Sequence, residues 1–509
     1  MTVPDAPTSS PPMDETTQQW SRLDPRMIAV HPIRQLVGLL PVLAIVLITG
    51  RNSVFQISAA VGLVVALLVF GALRWYTTRY RVTAERVELR SGLLNRQQRS
   101  VRRDRVRTVD ITAGPVHRVF GLSVVQLGTG STQPGQLSSL SLDAVPAAEA
   151  ERLRLSLLDR STLDAAAPST QDRPDAPQGE VIAGMRWSWL RYAPLTTSGL
   201  VAVGALVGFG LNLANELGLA PTDIGAVQRA GEELSGVSPT LAIAMIVATV
   251  LLVGVTGSLL IYTEGWWGYR LTREPDGTLL VRRGLLTTRA LSVEEKRLRG
   301  AEVSETILLR AGRGGRTSAV TTGLSARSSG GALLPPAPRQ EAHRVAGAAL
   351  RSDPRHATAA PLTRHPAAAL TRRLTRALLP AALLVALAWL LHVLFPTRWP
   401  AGLWPVGLVL LPIAVLLAID RYRNLGHALT ANHVVTRAGS LLRRTVALQR
   451  DGIIGWRVRQ SAFQRRVGLV TLDAITAAGA GHYPAVDVSF ARAVELVGEV
   501  SPGLLPPQT

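Results

Sequence analysis

The residues best able to bind a metal or move a proton are nine histidines, at 31, 117, 343, 356, 365, 392, 427, 433 and 482. None stands in HExxH or HxxxH spacing, so no helical turn offers two imidazoles to one ion. The chain has no cysteine, which excludes disulfides, thiolate ligands and a thiol nucleophile. The run Gly312-Arg313-Gly314-Gly315-Arg316-Thr317 invites comparison with a phosphate-binding loop. It fails that test: the first required glycine falls on Arg310 and the required lysine on Arg316, so a flexible hairpin loop is expected instead. No G-x-S-x-G elbow occurs. His392 lies in an apolar stretch, where an ionisable group is a functional candidate by default, but it is close enough to one end to reach lipid headgroups. No catalytic residue, cofactor site or metal site is expected, and the chain reads as a non-enzyme.

What remains is arginine chemistry. The formal net charge is +20, and Arg96, Arg99, Arg102, Arg103, Arg105 and Arg107 crowd one segment. Arg443, Arg444, Arg465 and Arg466 crowd another. Such residues either form a face for anionic headgroups or a protein partner, or are the solvated side of a half-buried sheet. Lys296 is the sole lysine, and with abundant alanine this reads as the coding bias of a high-G+C bacterium. Arginine at any single position is therefore weak evidence of recognition. Arg118, Arg310 and Arg465 stand apart because they fall in register in a threefold repeat.

That repeat organises the chain. YRVTAERVELRSGLL begins at Tyr80, YRLTREPDGTLLVRRGLL at Tyr269 and HALTANHVVTRAGSLL at His427. Gly92, Gly284 and Gly439 correspond, and one constant offset from each aligns Val101 with Val293 and Leu448, Val106 with Leu298 and Ile453, and Ile111 with Val303 and Val458. Gly121 and Gly468 correspond, but the second copy has Arg313 there. Alternating apolar residues and Ser91-Gly92 turns predict strands. Each copy ends in a predicted helix, starting near Pro146, Pro338 and Val488; in the first, Leu153, Leu157 and Leu158 share a face away from Arg154.

A pair of apolar segments precedes each copy: 35–50 with 54–73, 195–213 with 240–262, and 377–395 with 401–419. A span needs about 20 apolar residues, so the first, fifth and sixth are short for one, but their pairing favours spans. Trp75, Trp187, Trp266 and Trp399 mark the ends of these segments, where amphipathic rings settle at the interface. The loop 214–239 carries Glu216, Asp223, Glu232 and Glu233 against Arg229, whereas Arg74, Arg186, Arg372, Arg421 and Arg423 lie on the other side. The positive-inside rule then places both termini and all three copies in the cytoplasm, beneath the plasma membrane.

The residues Tyr80-Arg81-Val82-Thr83, Ser91-Gly92-Leu93-Leu94, Asp104-Arg105-Val106 and Phe120-Gly121-Leu122 resemble the bacterial pleckstrin-homology-like domain of YdbS/YdbT-type membrane proteins. The resemblance is close in the first copy, good in the third and weak in the second. It implies a seven-stranded, strongly bent sheet capped by a C-terminal helix, and no catalytic residues. The expected fold class is thus an α+β membrane protein. It has six transmembrane helices in three hairpins and three small pleckstrin-homology-like (PH-like) domains, each a sheet or partly open barrel with a C-terminal helix.

The expected boundaries are a disordered tail (1–32), hairpin 1 (33–74), PH-like domain 1 (75–160), a linker (161–185), hairpin 2 (186–263) and divergent PH-like domain 2 (264–352). A second linker (353–372), hairpin 3 (373–420), PH-like domain 3 (421–500) and a tail (501–509) follow. The expected function is a non-enzymatic scaffold or interaction platform in the membrane, in envelope maintenance or in a complex with a shorter paralogue. The alternative is a transporter or transport subunit with regulatory PH-like domains. The expected partners are the lipid bilayer, anionic headgroups and a membrane protein of the same family, not nucleic acid.

The topology has a direct test on this cysteine-free background. A cysteine at Ala226 is expected to react with an impermeant reagent from outside, and one at Ser138 only after permeabilisation. The reverse pattern would overturn the orientation.

Overall fold

The computed structural model describes residues 20–28, 75–83, 85–92, 96–106, 108–128, 139–158, 179–196, 238–322, 331–395 and 403–502, with isolated positions between them. The expected spans 35–50, 54–73 and 195–213 lie outside the described residues apart from such positions, as does Arg107.

Twenty strands are described, in an order that recurs. In the first unit β1 (Ser21–Arg22) is followed by β2 (Arg79–Val82), β3 (Arg86–Ser91), β4 (Gln97–Arg102), β5 (Thr108–Ala113), β6 (Leu122–Gly128) and β7 (Ser139–Pro146), then the helix Ala147–Leu158. In the second unit β8 (Glu180–Gly184) precedes β9 (Arg270–Arg273), β10 (Thr278–Arg283), β11 (Thr288–Glu294), β12 (Leu298–Thr306), β13 (Gly314–Thr321) and β14 (Ala332–Pro338), then the helix Arg339–Ala349. The third unit has β15 (Gly426–Leu429), β16 (His433–Ala438), β17 (Leu442–Gln449), β18 (Gly455–Arg459), β19 (Leu469–Ile475) and β20 (His482–Ser489), then the helix Phe490–Val500.

Alternation explains the half-buried strands: Val87 and Leu89, two apart in β3, both point into the core. β19 is buried along nearly its whole length, its polar Thr471 and Asp473 included.

The segment upstream of each apolar stretch returns to complete a sheet. β1 pairs with β2, β8 pairs with β9, and Thr363 bridges to His427 of β15. Residues 20–30, read from sequence as disordered tail, are therefore built in, and Leu23, Met27 and Val30 are buried in the first core. Both expected linkers are corrected in the same way. The first, 161–185, ends in β8, and the second, 353–372, buries Ala357, Ala360 and His365 and already contains the start of the helix Ala367–Leu394. β8 and the Thr363 bridge are held by the sheet edges they meet.

Two smaller readings also change. Arg154, placed by helical periodicity on a solvent face, is buried, because a neighbouring unit covers that face. The glycine run 312–317 is mostly strand rather than flexible loop, and a Cβ on Gly314 would sit 2.5 Å from the Tyr192 ring. Arg313, at the position of Gly121 and Gly468, adopts the same left-handed backbone as those glycines, with φ of 54° beside 69° and 65°.

Among the described residues three helices are long and apolar enough to cross a membrane: Pro239–Trp266, Ala367–Leu394 and Leu403–Arg423. The last two pack against each other, and almost none of their apolar surface is covered by the rest of the protein. With 28 residues, Ala367–Leu394 is about 42 Å long, enough for a hydrocarbon core of about 30 Å.

Gly284 and Gly439 turn the β10–β11 and β16–β17 hairpins at φ of 110° and 113°, and a Cβ on either would lie 1.9 Å from a carbonyl oxygen. Gly439→Ala is expected to destabilise the full chain by at least about 1–3 kcal/mol, read as a lower unfolding midpoint. Arg313→Gly should stabilise it by about 1 kcal/mol by relieving the left-handed arginine. A neutral result at both positions would show that these turns relax freely.

Candidate functional site

The strands do not close into three separate sheets. β5 of the first unit pairs antiparallel with β11 of the second, giving one seven-stranded sheet, β7-β6-β5-β11-β10-β9-β8. β12 of the second unit pairs antiparallel with β17 of the third, giving one six-stranded sheet, β14-β13-β12-β17-β16-β15. A core cluster of the second unit continues into the third through Ala428, Val435 and Ala447. These two seams are the dominant feature of the molecule.

Their registers are the same. Asp110 faces Leu291, Ile111 faces Ala290 and Thr112 faces Arg289. At the second seam Glu302 faces Val446, Val303 faces Thr445 and Ser304 faces Arg444. Each seam thus sets a carboxylate of one unit beside an arginine of the next. Burial pushes both Asp110 and Glu302 up from the usual carboxylate range. The nearby arginines, Arg289 and Arg283 at the first and Arg444 and Arg316 at the second, pull the other way. Glu302 bridges to Arg444 at 3.4 Å. Glu305, 1 % exposed, accepts two hydrogen bonds from Arg443, Nε to Oε2 at 2.7 Å and Nη2 to Oε1 at 2.8 Å. Arg339 approaches the same carboxylate at 3.3 Å.

Further clamps flank the strands. Arg118 donates to the Leu285 carbonyl, and Arg310 donates to the Ser440 carbonyl at 3.0 Å. Leu285 and Ser440 each follow the aligned hairpin glycine, so the two arginines grip equivalent points of the next unit. Arg154 reaches Glu274 at 3.1 Å, Arg282 reaches Glu151 at 3.1 Å, and Arg297 donates to the Val106 carbonyl at 2.9 Å.

The seams also reach the feet of the apolar helices. Arg310 pairs with Asp420 in the last turn of Leu403–Arg423. Asp487, fully buried in the third unit, pairs with Arg372 and, at 3.0 Å, with Arg373 in the first turns of Ala367–Leu394.

The arginines singled out from sequence therefore divide. Arg118, Arg310, Arg443 and Arg444 engage neighbouring units at the seams. Arg96, Arg99 and Arg102 are exposed on or beside β4; Arg99 holds Gln97, and Arg102 pairs with Asp104. Arg103 donates to the Ser156 carbonyl, and Arg105 closes a short turn. Arg465 and Arg466 are exposed, without a side-chain partner among the described residues. Sequence reasoning missed the acids. Asp110 and Glu302 occupy the same aligned position, so a carboxylate recurring inside a basic repeat was the available signal.

A second feature lies between the second and third units. A cavity of about 660 Å³ is lined by Arg191, Arg313, Arg339 and Arg437, with His343 and Thr358, and by no acid among the described residues. Burial, then Arg339, pushes His343 down to about 4, so it is neutral at pH 7. Burial lowers Arg437 as well, aided by Arg443 and Arg339. Such a pocket suits an anion. Two residues of its wall, Arg191 and Tyr192, belong to the short helix Trp187–Tyr192. A third, Leu362, lies five residues ahead of the start of Ala367–Leu394.

Two stretches of the chain, residues 35–161 and 376–498, match the family model of the bacterial PH domain. No curated protein and no solved structure matches the chain. These matches and the three apolar helices together point to a membrane-associated protein.

Glu305→Ala leaves Arg443 buried without its partner and is expected to destabilise the chain by about 3–5 kcal/mol. The loss should be smaller when Arg443→Met is added, because the stranded charge is then removed. Unfolding of the four proteins of this double-mutant cycle measures both effects, and additive losses would show that the pair does not hold the seam.

Proposed function

We propose that the chain is a non-enzymatic scaffold of the bacterial plasma membrane. In this reading three PH-type domains, the middle one divergent, are held in a fixed row on the cytoplasmic face by three helix hairpins, as in YdbS/YdbT-type proteins. The observation that carries the reading is the pair of seams. A solute carrier works by letting its parts move against one another, whereas strand pairing plus buried ion pairs fixes each unit to the next. Arg310 with Asp420 and Asp487 with Arg372 and Arg373 fix the row to the helix feet. A rigid row of domains on a membrane surface suits the display of partners at set spacing. In this reading the basic cavity takes an anionic lipid headgroup, since it carries four arginines and one wall residue, Leu362, leads into an apolar helix.

The full chain in sealed liposomes is expected to conduct no solute above empty-vesicle leak. Measured flux that depends on the protein would replace the scaffold by the transporter reading. In detergent, a short-chain phosphatidylglycerol should raise the unfolding midpoint, and the phosphatidylcholine of equal chain length should not. At about 1 kcal/mol per basic residue, Arg313→Gln with Arg437→Gln should weaken that response roughly thirtyfold. Equal responses to both lipids would remove the headgroup assignment.

A further inference from the structure

The seams have a direction. A fifth strand of one unit, β5 or β12, always meets a third hairpin strand of the next, β11 or β17. A row built this way leaves one edge of each kind at its ends. Among the described residues nothing pairs with the outer edge of β4 in the first unit or of β18 in the third. β4 is the counterpart of β11 and β17, the accepting strands.

Counted from the hairpin glycines, Arg99 stands where Leu291 and Val446 stand, and Arg96 where Thr288 and Arg443 stand. Leu291 and Val446, on strands that have an incoming neighbour, are buried, whereas Gln97, Gln98, Arg99 and Ser100 are all exposed. An incoming strand in the shared register would set its Glu302-position residue opposite Arg99 and its Glu305-position residue opposite Arg96. β4 is therefore charged to receive carboxylates, as β17 does with Arg443 and Arg444.

The free strand of this chain does not fit that edge. β18 has Arg457 at the position of Asp110 and Glu302, and Gln460 follows it at the position of Glu305. Its acid has moved one strand inward: Asp473 of β19 holds Arg457 at 2.9 Å and Arg459 at 2.7 Å. A second copy docking through β18 would bring Arg457 against Arg99, and like charges directly opposite on paired strands repel.

We propose that β4 is a docking edge for the fifth strand of another PH-type domain, on a different protein that carries carboxylates at the two positions of Glu302 and Glu305. The row then extends by one unit at its N-terminal end through a seam like the two it already contains, and Arg457 keeps the chain from extending itself. The proposal rests on the scaffold reading and names its partner's chemistry.

Because the chain lacks cysteine, the edge can be read by cross-linking. Gln98 and Val458 occupy the facing positions of Thr445 and Val303, and both are exposed. The full chain with Gln98→Cys and Val458→Cys, in detergent under mild oxidant, should form little disulfide-linked dimer. Adding Arg457→Glu, Gln460→Glu and Asp473→Ser copies the pattern of Glu302, Glu305 and Ser318 onto the third unit. Dimer should then rise about tenfold, because the Arg457–Arg99 pair turns from repulsive to attractive and the Gln460–Arg96 pair from neutral to attractive.

Arg96→Glu with Arg99→Glu, at exposed positions that leave the core intact, should produce a smaller rise with β18 unaltered, because only the pair with Arg457 becomes attractive. Combining both sets of changes should return the yield to baseline. If the chain without charge changes cross-links as readily as the variants, the occupant is a second copy and the proposal fails. It fails equally if neither variant set cross-links. Either result leaves the flux test of the scaffold reading untouched.

Discussion

A strand at the edge of a sheet exposes a row of unpaired N–H and C=O groups, and everything in this molecule follows from how those rows are satisfied. Each unit splits its strands into a set of four, or three with a bridge, and a set of three. Left alone, each would present two open edges. The seams β5–β11 and β12–β17 close four of them, two in the second unit and one in each of its neighbours. The consequence is a row in which no unit's sheet is complete without its neighbour.

Charge decides which edges meet. Backbone hydrogen bonding alone would let any strand pair with any other, in several registers. The carboxylates Asp110, Glu302 and Glu305 remove that freedom, because burying them is costly unless an arginine stands at the matching place. Glu305 has Arg443 and Arg339; Glu302 has Arg444. The same economy extends to the membrane side, where Asp487 and Asp420 tie helix feet to the third unit and to the second seam. Much of the high arginine content is thereby engaged inside the protein, even though the composition alone suggests a surface made for lipid.

The strand order and the closing helices were legible in the sequence because periodicity and turn glycines report local geometry. Gly92, Gly284 and Gly439 mark hairpins at positive φ in all three units, and Arg313 keeps the left-handed turn without the glycine. What could not be read was anything set by contact between distant segments. β1 is two polar residues and cannot signal itself, β8 is a five-residue stretch at the end of a polar segment, and both are held by pairing with β2 and β9. Arg154 follows a solvent-facing pattern within its own helix, but a carboxylate 120 residues away defines its environment. The seam acids were visible as an aligned pair. Their meaning depended on knowing that the aligned strands lie at an interface and not on an outer face.

The seams also set a timetable for biosynthesis. β5 is complete at residue 113, but its partner β11 does not begin until residue 288. At about 5–20 residues per second, the edge of β5 waits on the order of 10–35 s for its neighbour, while the long apolar helix Pro239–Trp266 is made between them. β12 waits in the same way for β17. A strand left open that long on a crowded ribosome is an invitation to pair with the wrong chain. Asp110 and Glu302 sit on these waiting edges, where a carboxylate discourages association with any strand that lacks the matching arginine. The residues that specify the finished assembly thus also guard the nascent one until its next segment arrives.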